Sequence, residues 1–142
     1  MHALLGIDLG TTGVKAALFN ADDGQVITSV FIEYPLYHPQ PGWAEQNPED
    51  WWRATLAAIR ACLEKAKPRG VLPAAVRGVG LSGQMHGVVL LDEQSMVLRP
   101  CIIWADQRSE AQCRWITERV GAHKLIDYVS NPALPGFSAP KA

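Results

Sequence analysis

An α/β domain that opens with an antiparallel β-meander is the fold class the sequence predicts, and three observations point to it. Short apolar runs divided by polar turns fill the first third of the chain, one long amphipathic segment follows, and further short apolar runs come after it. The resulting order is strand, strand, strand, helix, strand. A doubly wound dinucleotide fold would begin strand, helix, strand instead.

Leu4 to Leu9 is the first apolar run, Gly10-Thr11-Thr12-Gly13 is a polar turn, and Val14 to Phe19 reads as the second strand. Asn20-Ala21-Asp22-Asp23-Gly24 makes a hairpin loop in which Gly24 can take the positive φ such loops need. Val26 to Tyr34 supplies the third strand. Pro35, Pro39 and Pro41 then keep the chain extended and exclude a helix.

The next segment starts one. Asn47 can cap it, Pro48 suits the first helical position, and Glu49 and Asp50 place negative charge in the first turn, where the helix dipole favours it. Trp52, Leu56, Ile59 and Leu63 recur at helical spacing and share one face, and the helix should stop near Lys67, before Pro68 and Gly70. Val76 to Leu81, expected to be parallel, and Val88 to Leu91 read as two further strands around the polar segment Ser82-Gly83-Gln84-Met85-His86-Gly87. Asp92 to Ser95 is a turn, and Cys101 to Trp104 a short strand-like run. A helix is expected over Ser109 to Val120 with Gly121 as its C-cap, and a shorter one over Ala122 to Tyr128.

Composition narrows the function classes. The 142 residues are 48% hydrophobic and 19% charged, the range of an ordinary globular domain, and the net charge of −1 gives no basic face for a general nucleic-acid binder. Cys62, Cys101 and Cys113 are odd in number and form no C-x-x-C pair, so neither a disulfide framework nor a zinc site is indicated. The apolar start at Ala3 to Ile7 is broken at once by Asp8 and lacks a basic flank, and no segment approaches the roughly 18 apolar residues of a membrane span. A cytoplasmic protein is expected.

Three segments carry chemistry. In Gly6-Ile7-Asp8-Leu9-Gly10-Thr11-Thr12-Gly13-Val14-Lys15, a carboxylate at the end of an apolar strand must be paired, solvated or bound to a cation. The turn beyond it offers backbone N–H groups, two hydroxyls and Lys15, which together suit a phosphate with bound Mg²⁺. A plain tight hairpin with a solvated lysine reads equally well. It is not a Walker A loop, because strand pattern follows where that motif requires a helix.

In the second segment, Gln84 and His86 offer donors and acceptors to a polyhydroxylated ligand, although a lone histidine is more often a hydrogen-bonded structural one. Gly78-Val79-Gly80-Leu81-Ser82-Gly83 matches G-x-G-x-x-G, but no helical period follows and the nearby acid after the next strand, Asp92, falls far short of the roughly 20-residue offset, so the dinucleotide reading fails. The third segment, Trp104-Ala105-Asp106-Gln107-Arg108, suits a sugar, with the ring against C–H groups and the polar residues on hydroxyls. An Asp N-cap with a surface ion pair is the competing account of Asp106 and Arg108.

Taken together these segments resemble the FGGY carbohydrate kinases. The Gly6 to Lys15 stretch is similar to the first phosphate motif of the actin-like ATPase (ribonuclease H-like) superfamily, and Gly42-Trp43-Ala44-Glu45-Gln46-Asn47-Pro48-Glu49-Asp50-Trp51-Trp52 to the stretch before the family's first helix. Gly83-Gln84-Met85-His86-Gly87 and Pro135-Gly136-Phe137-Ser138-Ala139-Pro140-Lys141 resemble the members that act on D-xylulose, and Trp104 to Arg108 resembles the family's W-x-D-x-R.

The resemblance implies ATP-dependent phosphorylation of D-xylulose, with ATP and Mg²⁺ as cofactors. Other members act on ribulose, glycerol or gluconate, and a non-catalytic sugar- or partner-binding fragment is the alternative from another class. By the same resemblance Asp8 is catalytic and binds Mg²⁺, directly or through water. Thr11, Thr12 and Lys15 hold phosphate, although some members have arginine where Lys15 stands, and Gln84, Met85, His86 and Trp104 contact the sugar. Residues 1–142 are then the N-terminal portion of the first kinase domain, a truncated or deliberately cut piece. The nucleotide-holding second domain and the family's catalytic-base aspartate are expected beyond Ala142, and the fragment alone is expected to be inactive. Expected partners are the sugar, ATP and a second copy of the chain, with no nucleic acid and no membrane.

Overall fold

The computed structural model describes residues 2–142. In chain order the strands are β1 (Ala3–Leu9), β2 (Gly13–Asn20), β3 (Val26–Glu33), β4 (Glu45–Gln46), β5 (Val76–Gly83) and β6 (Cys101–Ile102), and the helices α1 (Pro48–Ala66), α2 (Glu110–Val120) and α3 (Ala122–Val129). They fall into two compact units. One is built from residues up to Pro35 with Glu49–Gln84, the other from Leu36–Pro48 with Met85–Ala142.

The first unit holds the expected antiparallel meander, with β5 added parallel to β1 to give the sheet order β3-β2-β1-β5. Parallel strands need a crossover, and α1 lies in it. Side-chain alternation sets the two faces of the sheet. Leu5 and Ile7 of β1 and Val14, Ala16 and Leu18 of β2 are buried in one cluster with α1, while Asp8 and Lys15 point to the other face and are exposed. The Asn20–Gly24 loop closes as expected, with Gly24 at φ 73°.

α1 buries a different stripe from the one its bulky residues suggest. Its buried positions are Ala54, Ala58, Cys62 and Ala66, with Trp51, Ile59 and Leu63 half-buried beside them. Trp52, assigned to the core face, is 60% exposed. The cause is proximity: the Cys62 thiol lies 3.6 Å from the carbonyl oxygen of Ala16 and 3.7 Å from that of Thr28, a separation that only small side chains fit. The helix ends at Ala66 and passes into a 3₁₀ turn, Lys67–Arg69, closed by Gly70 at φ 76°.

In the second unit β4 and β6 pair antiparallel, with Glu45 opposite Ile102 and Gln46 opposite Cys101. α2 and α3 form where the periodicity places them, and Gly121, at φ 93°, closes α2 by donating its N–H to the Thr117 carbonyl at 2.9 Å. The strand expected over Val88 to Leu91 does not form. Only isolated bridges remain, Val88 to Ile102 and Leu91 to Val97, because the two-residue β6 is too short to support a ladder on its second edge. Between Leu91 and Val97, the Asp92 carboxylate accepts the N–H groups of Gln94 and Met96 at 2.9 and 2.8 Å and makes the expected turn. All three cysteines are buried and unpaired, and among the described residues no helix is long and apolar enough to cross a membrane.

Candidate functional site

The sequence-derived candidates divide between the two units. In the first, β1 and β2 are joined by a turn so tight that Gly10 donates its N–H to the Gly13 carbonyl at 3.0 Å. That turn fixes the register, and the register sets Asp8 directly opposite Lys15. Both line an open hollow of about 330 Å³ with Gly6, Ala17, Phe19 and Ser82, and β5 brings Ser82 level with Asp8 from the other side. Asp8 is therefore solvated on the uncovered face, not buried among Ile7 and Leu9. Thr12 is exposed and Thr11 half-buried in the turn itself, and the Gln84 N–H donates to the Leu9 carbonyl at 2.7 Å, beside the same strand end.

Two features hold this turn in shape. A Cβ on Gly13 would come within 2.5 Å of the Ile32 carbonyl oxygen, so the backbone of β3 passes too close for any side chain there. The other is Tyr34, a residue that sequence reasoning placed only at the end of a strand. Its buried hydroxyl donates to the Gly10 carbonyl, from 24 residues away in the chain. Burial, aided by the negative charge of Asp8, pushes the Tyr34 phenol up to about 12.

Because this value is raised in the folded state, the stabilisation is complete below the ordinary value of 10.0 and is lost as pH climbs through about 12. Titrating phenolate absorbance should reveal one component near pH 12 that is missing from Tyr34→Phe. The variant should lose about 0.5–1.5 kcal/mol, the worth of one hydrogen bond. Ionisation of Tyr34 near pH 10 would mean that the hydroxyl is not held.

In the second unit Met85 is 71% exposed, Trp104 is exposed, and His86 is half-buried with its ring 4.7 Å from that of Phe137. His86 has φ 64°, a left-handed backbone rarely adopted outside glycine. It also borders a largely apolar hollow of about 510 Å³, shared with Ile116, Leu125, Val129 and Phe137.

Asp106 and Arg108 are neither a helix cap nor a surface pair. Asp106 is fully buried; both its carboxylate oxygens accept from the Arg108 side chain at 2.7–2.9 Å, and it also takes the backbone N–H groups of Ala44 and Arg108 at 2.6 and 2.8 Å. Arg108 reaches Glu45 at 2.6 Å and stacks 3.7 Å over the Trp43 ring. Burial alone would raise the Asp106 carboxyl, but the hydrogen bonds and charge of Arg108 and the two amides outweigh it and hold the group below the usual range. These residues secure the loop carrying Trp104, and their own polar atoms are spent on one another.

Comparison with known proteins adds a separate line of evidence. The profile for the FGGY family of carbohydrate kinases, N-terminal domain, matches residues 3–142. The chain is 43% identical over 137 residues to a xylulose kinase of Klebsiella pneumoniae, covering 96% of this chain and 27% of that protein. A gluconokinase of Bacillus subtilis is 38% identical over 132 residues, covering 93% of this chain and 25% of that one. Among solved structures, a xylulose kinase from Brucella ovis superposes with a TM-score of 0.87 at 42% identity, over 99% of this chain and 28% of that one. The chain thus spans about a quarter of the length of the curated relatives it matches.

Proposed function

The chain belongs to the FGGY family of carbohydrate kinases and carries the actin-like ATPase fold, and from that premise we propose that it is the N-terminal portion of an ATP-dependent D-xylulose kinase. The reaction is transfer of the γ-phosphoryl group of ATP to the 5-hydroxyl of D-xylulose in the cytoplasm. The observation that carries the phosphoryl half of this reading is the cross-strand placement of Asp8 against Lys15 beside the Gly10–Gly13 turn.

Each group there has a physical part. The Lys15 ammonium and the hydroxyls of Thr11 and Thr12 attract and orient phosphate oxygens. Mg²⁺ commonly uses only one or two protein carboxylates, completing its shell with water and substrate phosphate, and the solvated Asp8 fits that pattern. Among the described residues no group of three or more ligating side chains offers a full protein cage. When bound, the ion neutralises charge on the phosphoryl oxygens. Asp8 is then held on the donor side of the reaction and does not serve as the base for the sugar hydroxyl.

Gln84, Met85, His86 and Trp104 contact the sugar, Met85 and Trp104 through apolar surface and Gln84 and His86 through hydrogen bonds. D-xylulose is preferred because relatives named xylulose kinase reach 43% identity; gluconate is the second reading, supported by the gluconokinase at 38%. A panel of D-xylulose, gluconate, ribulose and glycerol, tested on a kinase of the relatives' full length that carries these residues, decides between them. The highest kcat/KM should belong to D-xylulose, and a higher value for gluconate would replace it. In the same protein His86→Ala should raise the KM for D-xylulose by the equivalent of about 1–3 kcal/mol and leave that for ATP unchanged. The 142 residues assayed alone should form no xylulose 5-phosphate, since general-base assistance worth about 10²–10⁴-fold and the nucleotide-holding lobe are proposed to come from elsewhere.

A further inference from the structure

Lys141 is a buried cation that no step above uses. It is 9% exposed, and its ammonium donates to two backbone carbonyls, that of Gly136 at 2.7 Å and that of His86 at 2.9 Å. Taking an ammonium out of water is costly unless good acceptors replace the water, and here both acceptors are peptide oxygens rather than a carboxylate. Burial accordingly pulls the Lys141 ammonium below the ordinary lysine range, against the opposing pull of Cys101 and Asp106. A charge kept at that cost between two loops fixes their geometry.

Both loops bear on the sugar-contacting residues. One carbonyl belongs to His86 itself, whose left-handed backbone at φ 64° is unfavourable for a side chain with a Cβ. The other belongs to Gly136, the neighbour of Phe137, whose ring lies 4.7 Å from the His86 ring at an interplanar angle of 47°. Gly136 also lies flat against the Trp104 backbone, since a Cβ there would come within 2.9 Å of the Trp104 carbonyl oxygen. One ammonium thus ties down the peptide that carries His86 and the peptide next to the ring that His86 rests on.

We infer that Lys141 is a positioning residue for the sugar site: it holds the His86 peptide in its left-handed conformation and so aims the imidazole. This rests on the proposed role of His86 in ketose contact. Lys141 touches no substrate, and its effect passes through the backbone of His86 and Gly136.

The test is NMR on the isotopically labelled 142-residue chain as wild type, Lys141→Met and Lys141→Arg. Two readouts come from His86, the strong intraresidue HN–Hα cross-peak of a positive φ and the ring-current shift from Phe137, and a third is the response of the His86 signals to added D-xylulose. Lys141→Met should lose both conformational signatures and weaken the D-xylulose response by about 10–100-fold, by analogy with the loss of an outer group that orients a metal ligand. Lys141→Arg, which restores charge and donors, should recover them. Intact His86 signatures in a folded Lys141→Met variant would overturn the proposal. Should Lys141→Met unfold the tail, a Lys141→Arg chain that refolds it while His86 stays in an ordinary negative-φ conformation would also overturn it. If D-xylulose leaves His86 unmoved in wild type while Lys141→Met still abolishes the positive φ, the positioning role stands, and the substrate reading is decided by the panel on the full-length kinase.

Discussion

Asp8→Ala, introduced into a kinase of the relatives' full length that carries these residues, is expected to lower kcat by about 10²–10³-fold, the scale of losing one preorganised charge-stabilising group. The effect should fall on turnover and on the Mg²⁺ concentration needed for half-maximal rate, with the KM for D-xylulose little changed. The fold gives the experiment a clean background. Asp8 is exposed on the face of the sheet opposite α1, so its removal should leave stability within about 0.5 kcal/mol. An unchanged kcat in the folded variant would reduce Asp8 to a solvated residue at a strand end and leave Lys15 without its proposed companion.

Asp106→Ala should have the largest effect on stability. The carboxylate is fully buried and accepts from two backbone amides and the Arg108 guanidinium, so its loss strands a mostly buried cation and frees the Ala44 N–H in the interior. Breaking a buried pair from one side costs about 3–5 kcal/mol, partly relieved here because Glu45 remains on Arg108. Hydrogen exchange at the Ala44 amide reports the clamp directly, and denaturant unfolding reports the total. Acid should reproduce the loss in wild type: a depressed carboxyl contributes stability above its ordinary value of 3.8, and that contribution disappears as pH falls through the lower folded value. Unaltered Ala44 protection in Asp106→Ala would show that the loop is held by something else.

Local signals carried much of the fold. The three opening strands, the Gly24 loop, the start of α1 at Pro48 and the Gly121 closure of α2 all follow from turn chemistry and period, which act within a few residues. The failures share a cause in long-range contact. Val88 to Leu91 is apolar enough for a strand, but a strand exists only where a partner of matching length does, and β6 has two residues. Arg108 meets Glu45 across 63 residues of chain, and no spacing rule anticipates that.

The candidate site divides in the same way. Asp8 and Lys15 face each other because a tight turn counts the residues between them, a relation written into the local sequence. Tyr34 beneath the turn and Lys141 beneath His86 act from 24 and 55 residues away; Tyr34 looks in sequence like an ordinary strand end, and Lys141, though it closes a stretch that carries the family resemblance, gives no local sign that it reaches His86.

The small-residue stripe of α1 inverts the usual rule for which substitutions a protein core accepts. Where a helix lies this close to a sheet, admission at positions 54, 58, 62 and 66 is governed by volume, and hydropathy becomes secondary. Serine at position 58 could satisfy its hydroxyl on the carbonyl one turn back and keep the helix in place, whereas leucine, though more apolar, would have to lift the helix from the strands. Drift in this segment should therefore run among alanine, serine, glycine and cysteine. A profile scored on hydrophobicity alone would misjudge which variants of this helix survive.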